Sequence, residues 1–328
     1  MLKEAIISLV VSFVITAILG KILIPVLKSI KMGQKILDIG PRWHKSKEGT
    51  PTMGGIFFIG AVTLCVIVYC IISAVRGESV RDLITNYSFI LLCGLTGIID
   101  DRTKFLKKQN KGLSATQKLV LQFGSAAAYV FALYFGRNAN TSLALPFTDA
   151  RLELGFFYYL LLIVGIVFTV NSVNLTDGID GLASSVTAFA VIFLAAICYK
   201  TENAGALILA SAIVGGCLGF LVYNFYPARV FMGDTGSLFL GGAVSALAVW
   251  LDMPLILVFV GFIYYVEALS VVLQVFSFKV FKKRIFKMSP IHHHFEMCGW
   301  NEIKIVVVFS LVTLVLSAVG SYGFLLSK

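Results

Sequence analysis

Charge is what this chain has least of. Only 13% of its 328 residues are Asp, Glu, Lys or Arg, against about 25% in an ordinary soluble domain, and the acidic residues number just 17. Internal repeats and low-complexity tracts are also lacking. Together with a hydrophobic content of 58% and a mean hydropathy of +0.92, these absences exclude a soluble fold. Apolar runs near the length needed to cross a bilayer recur from one terminus to the other, so residues 1–328 read as a single integral membrane domain. The six cysteines show no C-x-x-C spacing and lie mostly inside apolar runs, which suits structural thiols. A net charge of +10 and a pI near 9.3 could suggest nucleic acid. The basic residues, however, occupy short loops, where they set topology and meet anionic lipid, and no nucleic-acid partner is expected.

Hydropathy predicts an all-α polytopic membrane protein of about ten transmembrane helices, over 2–27, 53–73, 86–99, 117–135, 155–173, 182–199, 204–222, 238–251, 254–278 and 304–326. The first segment, Leu2 to Leu27, is longer than a signal-peptide core and lacks a small-residue cleavage site, so it is expected to remain as a span. Connections 28–52, 100–116, 174–181, 223–237 and 279–303 hold most loop Lys and Arg and are expected on the cytoplasmic face, with both termini extracytoplasmic. On the opposite face, Thr141 to Leu154 alternates apolar residues around Pro146 and Asp149, the pattern of a short hairpin. Span 86–99 is short and ends in two aspartates. Span 254–278 is long and continues into KVFKKRIFKM, a helix extension or an interfacial helix.

Polar residues concentrate on the cytoplasmic face. All four histidines (His44, His292, His293, His294) and eight of the 17 acidic residues fall there or at its edge: Asp38, Glu48, Asp100, Asp101, Asp177, Asp180, Asp234 and Glu296. Glu302 makes a ninth. Asp100-Asp101-Arg102-Thr103-Lys104, followed by Lys107, Lys108, Lys111 and Lys118, is either a topogenic loop or a place where acids hold a hard cation and lysines hold its phosphate. Asn171 to Gly181 (NSVNLTDGIDG) is either a turn with two Asx-Gly pairs supplying positive φ, or a polar centre in which Asn171, Asn174 and Asp177 share a helical face.

The segment Tyr223 to Ser237 contains Phe231 and Gly233-Asp234-Thr235-Gly236-Ser237. It reads as a helix cap, or as a phosphate-binding helix start beside an aromatic that stacks on a base. Ser289 to Glu296 carries three consecutive histidines without the H-E-x-x-H spacing of a zinc hydrolase. They are ordinary exposed histidines, or one or two of them donate to phosphate. Pro41 to Gly55, with Trp43, His44, Lys45 and Lys47, is topogenic charge or a shaped loop near a phosphate. Acids for a metal, lysines and histidines for phosphates, and Asn with an aromatic for a sugar or base compose the chemistry of phosphoryl transfer, which needs positioning and charge neutralisation.

Five of these stretches occur in order as GTPTMGG (49–55), DDRTK (100–104), NLTDGIDGLA (174–183), NFYPARVFMGDTGS (224–237) and PIHHHFE (290–296). In them the chain resembles the polyprenyl-phosphate N-acetylhexosamine-1-phosphate transferase superfamily, and within it the phospho-N-acetylmuramoyl-pentapeptide transferases (translocase I, the MraY family), over its whole length. The resemblance implies transfer of phospho-N-acetylmuramoyl-pentapeptide from UDP-MurNAc-pentapeptide to undecaprenyl phosphate at the bacterial plasma membrane, giving lipid I and UMP with Mg²⁺ as cofactor. It further implies Asp234 as the Mg²⁺ ligand, Asp100 and Asp101 near the carrier phosphate and metal with Asp100 as base, and Lys118 and His292 on phosphates. Asn171, Asn174 and Asp177 would line the centre, and Lys47, Lys104, Asp180, Asn224, Phe231, Gly233 and Gln274 would bind the nucleotide. A homodimer is expected on the same ground. Two rivals are weighed. A sister transferase of GlcNAc-1-phosphate is disfavoured by the unbroken HHHFE after Pro290. A transporter would place its polar residues at midplane on broken helices, where only Glu267 and Gln274 stand out.

Overall fold

The computed structural model describes residues 1–30, 47–107, 112–136 and 141–326. Asp38, Pro41 to Ser46 (His44 among them), Lys108 and Lys111 lie outside the described residues. Twelve helices are described: α1 (Leu2–Ser29), α2 (Gly55–Val75), α3 (Arg81–Leu106), α4 (Ala115–Gly136), α5 (Phe156–Thr176), α6 (Leu182–Lys200), α7 (Ala204–Asn224), α8 (Gly233–Trp250), α9 (Leu257–Val260), α10 (Phe262–Phe281), α11 (Ile291–Met297) and α12 (Glu302–Leu326). Among the described residues, nine of them are long and apolar enough to cross a membrane: α1 to α7, α10 and α12. The protein is thus an all-α polytopic membrane protein. The expected hairpin is present as β1 (Ser142–Ala144) and β2 (Arg151–Glu153), antiparallel with Leu143 opposite Leu152.

The tenth expected span, 238–251, falls in α8, which does not reach the apolarity of the other nine. Its first turn carries Asp234, Thr235 and Ser237, and it is shielded by protein instead, with every residue from Thr235 to Trp250 buried. α8 is the axis of the molecule. α3 and α5 pack along it closely enough that a Cβ at Gly97 would lie 2.2 Å from the Asp234 carbonyl oxygen, the small-residue contact that lets membrane helices approach backbone to backbone. Interhelical hydrogen bonds add to this packing. Ser12 Oγ donates to the Ala212 carbonyl between α1 and α7 at 2.7 Å, and Tyr129 Oη donates to Asn86 between α4 and α3 at 2.6 Å.

Three boundaries differ from expectation. α3 does not stop before Asp100 but runs through both aspartates to Leu106, because Lys104 pairs with Asp100 four residues back and with Asp101 three back, the spacing that supports a helix. The span predicted over 254–278 is divided. Pro254–Ile256 forms a 3-10 turn, α9 follows, and Gly261 separates it from α10. A Cβ at Gly261 would meet the Leu257 carbonyl at 2.6 Å. The basic continuation is not helical: α10 ends at Phe281, Lys282 takes a left-handed conformation at φ +57°, and the chain reverses.

Gly97→Ala should force α3 off α8, because the obstructing atom is backbone and cannot rotate away. Thermal unfolding in detergent is expected to show a loss of about 1–3 kcal/mol, as for other overpacked sites. Gly165→Ala in α5, where a Cβ meets nothing within 4 Å, should show none. Equal midpoints for the two variants would contradict the close contact.

Candidate active site

Alternate helix ends meet at one end of the bundle: the last turns of α3 and α5 and the first turns of α4 and α8. Asp234, in the first turn of α8, is held from three sides. Its Oδ2 accepts from Lys104 Nζ of α3 at 3.0 Å and from Lys118 Nζ of α4 at 2.9 Å, and its Oδ1 accepts from Asn174 Nδ2 of α5 at 2.9 Å. Asn174 also accepts from Lys118 at 3.0 Å and donates to Ser237 Oγ at 2.7 Å. Lys104 lies 2.7 Å from Asp100 Oδ2 and 3.2 Å from Asp101 Oδ1. Asp101 Oδ2 receives both the amide and the hydroxyl of Thr235, so a carboxylate from α3 satisfies an otherwise orphan N–H at the start of α8. Gly233 makes that start possible: its φ is +71° and a Cβ there would fall 2.5 Å from Asp101 Oδ2.

Oxygens of Asp100, Asp101 and Asp234 lie within 4.8 Å of one another, an all-oxygen donor set of the kind hard divalent cations take. Asp100 is buried. Its Oδ1 accepts from the Leu113 amide at 2.8 Å, while its Oδ2, though close to Lys104, has no partner in hydrogen-bond geometry. Asp177, just past α5, joins the same field. Burial, then the charges of Asp234, Asp101 and Asp180, hold its carboxyl well above the usual carboxylate range. The carboxylates of Asp100, Asp101 and Asp234 thus face two ammoniums, and the excess of negative charge fits a cation. An open cavity of about 660 Å³ adjoins them, lined by Asp100, Lys104, Lys107, Gln117, Lys118 and Asp234 with residues 112–115.

A second grouping forms beside the first. Lys47 Nζ lies 2.7 Å from Asp180 Oδ1 and 2.6 Å from Glu302 Oε1, with the Tyr226 ring 5.8 Å away. Glu302 Oε2 also accepts the Asp180 amide at 2.9 Å, and Asp180 Oδ2 accepts the Ala228 amide. Asn224 is a brace, accepting from the Gly181 amide and donating to the Val230 carbonyl. The half-buried Phe231 is fixed through its backbone, its N–H to Pro51 and its carbonyl from Gly54.

The structure therefore brings together Asp100, Asp101, Lys104, Lys118, Asn174, Asp177, Gly233 and Asp234, and separately Lys47, Asp180 and Asn224, with Phe231 next along the chain from the Val230 carbonyl that Asn224 holds. Asn171 lies one turn before Asn174 and exchanges amide hydrogen bonds with Gln122. Of the two glycines expected to supply positive φ, Gly181 does (φ +78°) and Gly178 does not. Gln274 closes the reversal after α10: its oxygen accepts the Ile285 and Phe286 amides and its NH₂ donates to the Phe286 carbonyl. His292 is fully buried against Gly178. Sequence reasoning missed Gln122, read Thr235 and Ser237 only as part of a helix start, and noted Glu302 only as a ninth acid. A polar residue one helical turn inside an apolar run was the available signal for Gln122.

An acid-and-lysine cluster at the ends of membrane helices is the setting of a membrane-embedded transferase, and the family model described as glycosyl transferase family 4 matches residues 83–252, from α3 through α8 and just over half of the chain. Phospho-N-acetylmuramoyl-pentapeptide-transferase signature 1 matches residues 47–59. Relatives named phospho-N-acetylmuramoyl-pentapeptide-transferase include those of Clostridium novyi, 47% identical over 95% of this chain and 94% of the relative, and Clostridium botulinum strain Eklund 17B, with the same three figures. That of Clostridium kluyveri is 46% identical over 95% of this chain and 97% of its own. The chain belongs to the phospho-N-acetylmuramoyl-pentapeptide-transferase family.

Glu302→Ala would leave the Asp180 amide without its acceptor and Lys47 with a single carboxylate. The expected loss is about 1–3 kcal/mol, the penalty of a buried group left unpaired, read as a lower thermal midpoint. Glu302→Gln keeps an acceptor and should lose less. An Ala variant as stable as the parent would contradict the clamp.

Proposed function

We propose that this protein transfers phospho-N-acetylmuramoyl-pentapeptide from UDP-MurNAc-pentapeptide to undecaprenyl phosphate, forming lipid I and UMP for peptidoglycan synthesis, with the site on the cytoplasmic side and both termini outside. The observation that carries the reading is the Asp100, Asp101 and Asp234 cluster bridged by Lys104 and Lys118 at the mouth of a cavity. In such a reaction an oxygen of the carrier phosphate attacks the β-phosphorus of the nucleotide sugar, and the bond from that phosphorus to the bridging oxygen breaks, so that UMP departs with the bonding pair.

Each side chain has a task suited to its surroundings. Asp234, with Asp100 and Asp101, would hold Mg²⁺, whose bound charge offsets that of the diphosphate. Lys104 and Lys118 reach the same point and can pass from carboxylate to phosphate oxygen without leaving the cavity. Asp100, beside the 112–113 backbone, accepts or orients the proton of the carrier phosphate. Asn174 orients Asp234, and Asn171 is kept in line by Gln122. The Lys47, Asp180 and Phe231 group would take the uridine, Phe231 by stacking. Gln274 is given no nucleotide contact, since its amide is engaged by the turn at 285–286. The homodimer is part of the same proposal and rests on the family.

Purified protein supplied with Mg²⁺, undecaprenyl phosphate and each UDP-sugar in turn should form lipid-linked product from UDP-MurNAc-pentapeptide and release UMP, and should leave UDP-GlcNAc untouched. Preferential turnover of UDP-GlcNAc would overturn the substrate assignment.

A further inference from the structure

Away from the aspartate cluster, one carboxyl and one imidazole are wholly shut off from solvent. Glu267, in the second turn of α10, and His292, at the start of α11, are each 0% exposed. His292 Nδ1 lies 3.0 Å from Glu267 Oε2, and the His292 backbone N–H is directed at the same oxygen at 3.4 Å. Neither the second oxygen, Glu267 Oε1, nor either ring nitrogen has a partner in hydrogen-bond geometry. A wholly buried carboxyl in a membrane helix, paired with a buried imidazole, is expensive, and packing alone would be served as well by apolar side chains. Its retention calls for a task.

The far side of the ring supplies one. A Cβ at residue 178 would lie 2.2 Å from His292 Nε2 and 2.5 Å from Cε1, so the imidazole rests directly on the backbone there. Gly178 does not need to be glycine for its own conformation, since it is not in the positive-φ region. What a side chain at this position would obstruct is the ring. Gly178 follows Asp177, which feels the charges of Asp234 and Asp101, and precedes by two residues Asp180, which pairs with Lys47. One contact thus underlies the turn joining the two groups of polar residues.

We infer that Glu267 is a positioning residue for the transfer reaction: it fixes the His292 imidazole against Gly178, and the ring sets the turn that carries Asp177 and Asp180. The inference rests on the transferase reading above. His292 acts through the backbone of that turn, and its burial follows from this role.

A double-mutant cycle on the full-length protein tests it. Glu267→Gln should lower kcat about ten- to a hundredfold, the scale of a small misplacement of reacting groups, with the KM for undecaprenyl phosphate unchanged and the thermal midpoint retained. In a His292→Ala background the same substitution should add no further loss, because the ring through which Glu267 works is gone. Gly178→Ala, which pushes the ring from the other side, should reduce turnover in the parent and add nothing in His292→Ala. If Glu267→Gln does not fold, Glu267→Asp, which keeps the charge but retreats by one methylene, is held to the same outcomes. Losses that multiply in the double variants, or full activity in Glu267→Gln, would overturn the inference. A parent protein inactive with both substrates would instead overturn the transferase reading.

Discussion

The Asp234 carboxylate is the point on which the rest of the molecule depends. It sits at the start of the most buried helix and is held by Lys104, Lys118 and Asn174 from α3, α4 and α5. A half-buried carboxylate beside two others would be costly without partners, so its neighbours must arrive in register, and their arrival fixes how the helices pack. The glycine contact between α3 and α8 and the Asp101 bonds to Thr235 follow from the same requirement. Packing and charge are one constraint here, since α8 is too polar at its first turn to face lipid and too close to α3 to admit water.

That constraint also explains the division of labour. The aspartates carry more negative charge than their two lysines offset, which suits a cation and the phosphates it accompanies. The neighbouring Lys47, Asp180 and Glu302 set is closed by backbone amides, which suits a rigid wall. The turn between Asp177 and Gly181 joins the two, and its ends report to different chemistry.

Much of this was legible in the sequence because a membrane protein has few places to put polar groups. Asp100, Asp101, Lys104, Lys118, Asn174 and Asp234 stand out as acids, lysines and an amide at the ends of apolar runs, and the structure joins them. The helical character and the short hairpin were legible from hydropathy and alternation. What was not legible depends on tertiary partners. The continuation of α3 through its aspartates needs the lysine one turn on, and the division at Gly261 needs a residue without a Cβ beside the Leu257 carbonyl. Gln274 was expected at the nucleotide from the resemblance, and in the structure its amide is engaged by backbone groups eleven and twelve residues away. Glu302 stood out only as a ninth acid, and only the fold brings it to Lys47.

The central claim is that Asp234 completes a divalent-cation site. Mn²⁺ titration followed by electron paramagnetic resonance reads this without turnover. The parent protein should bind one Mn²⁺ that Mg²⁺ displaces, and Asp234→Asn, with its thermal midpoint retained, should bind none, because an amide cannot supply the charge. Binding of equal strength in Asp234→Asn, or no bound Mn²⁺ in the parent, would contradict it.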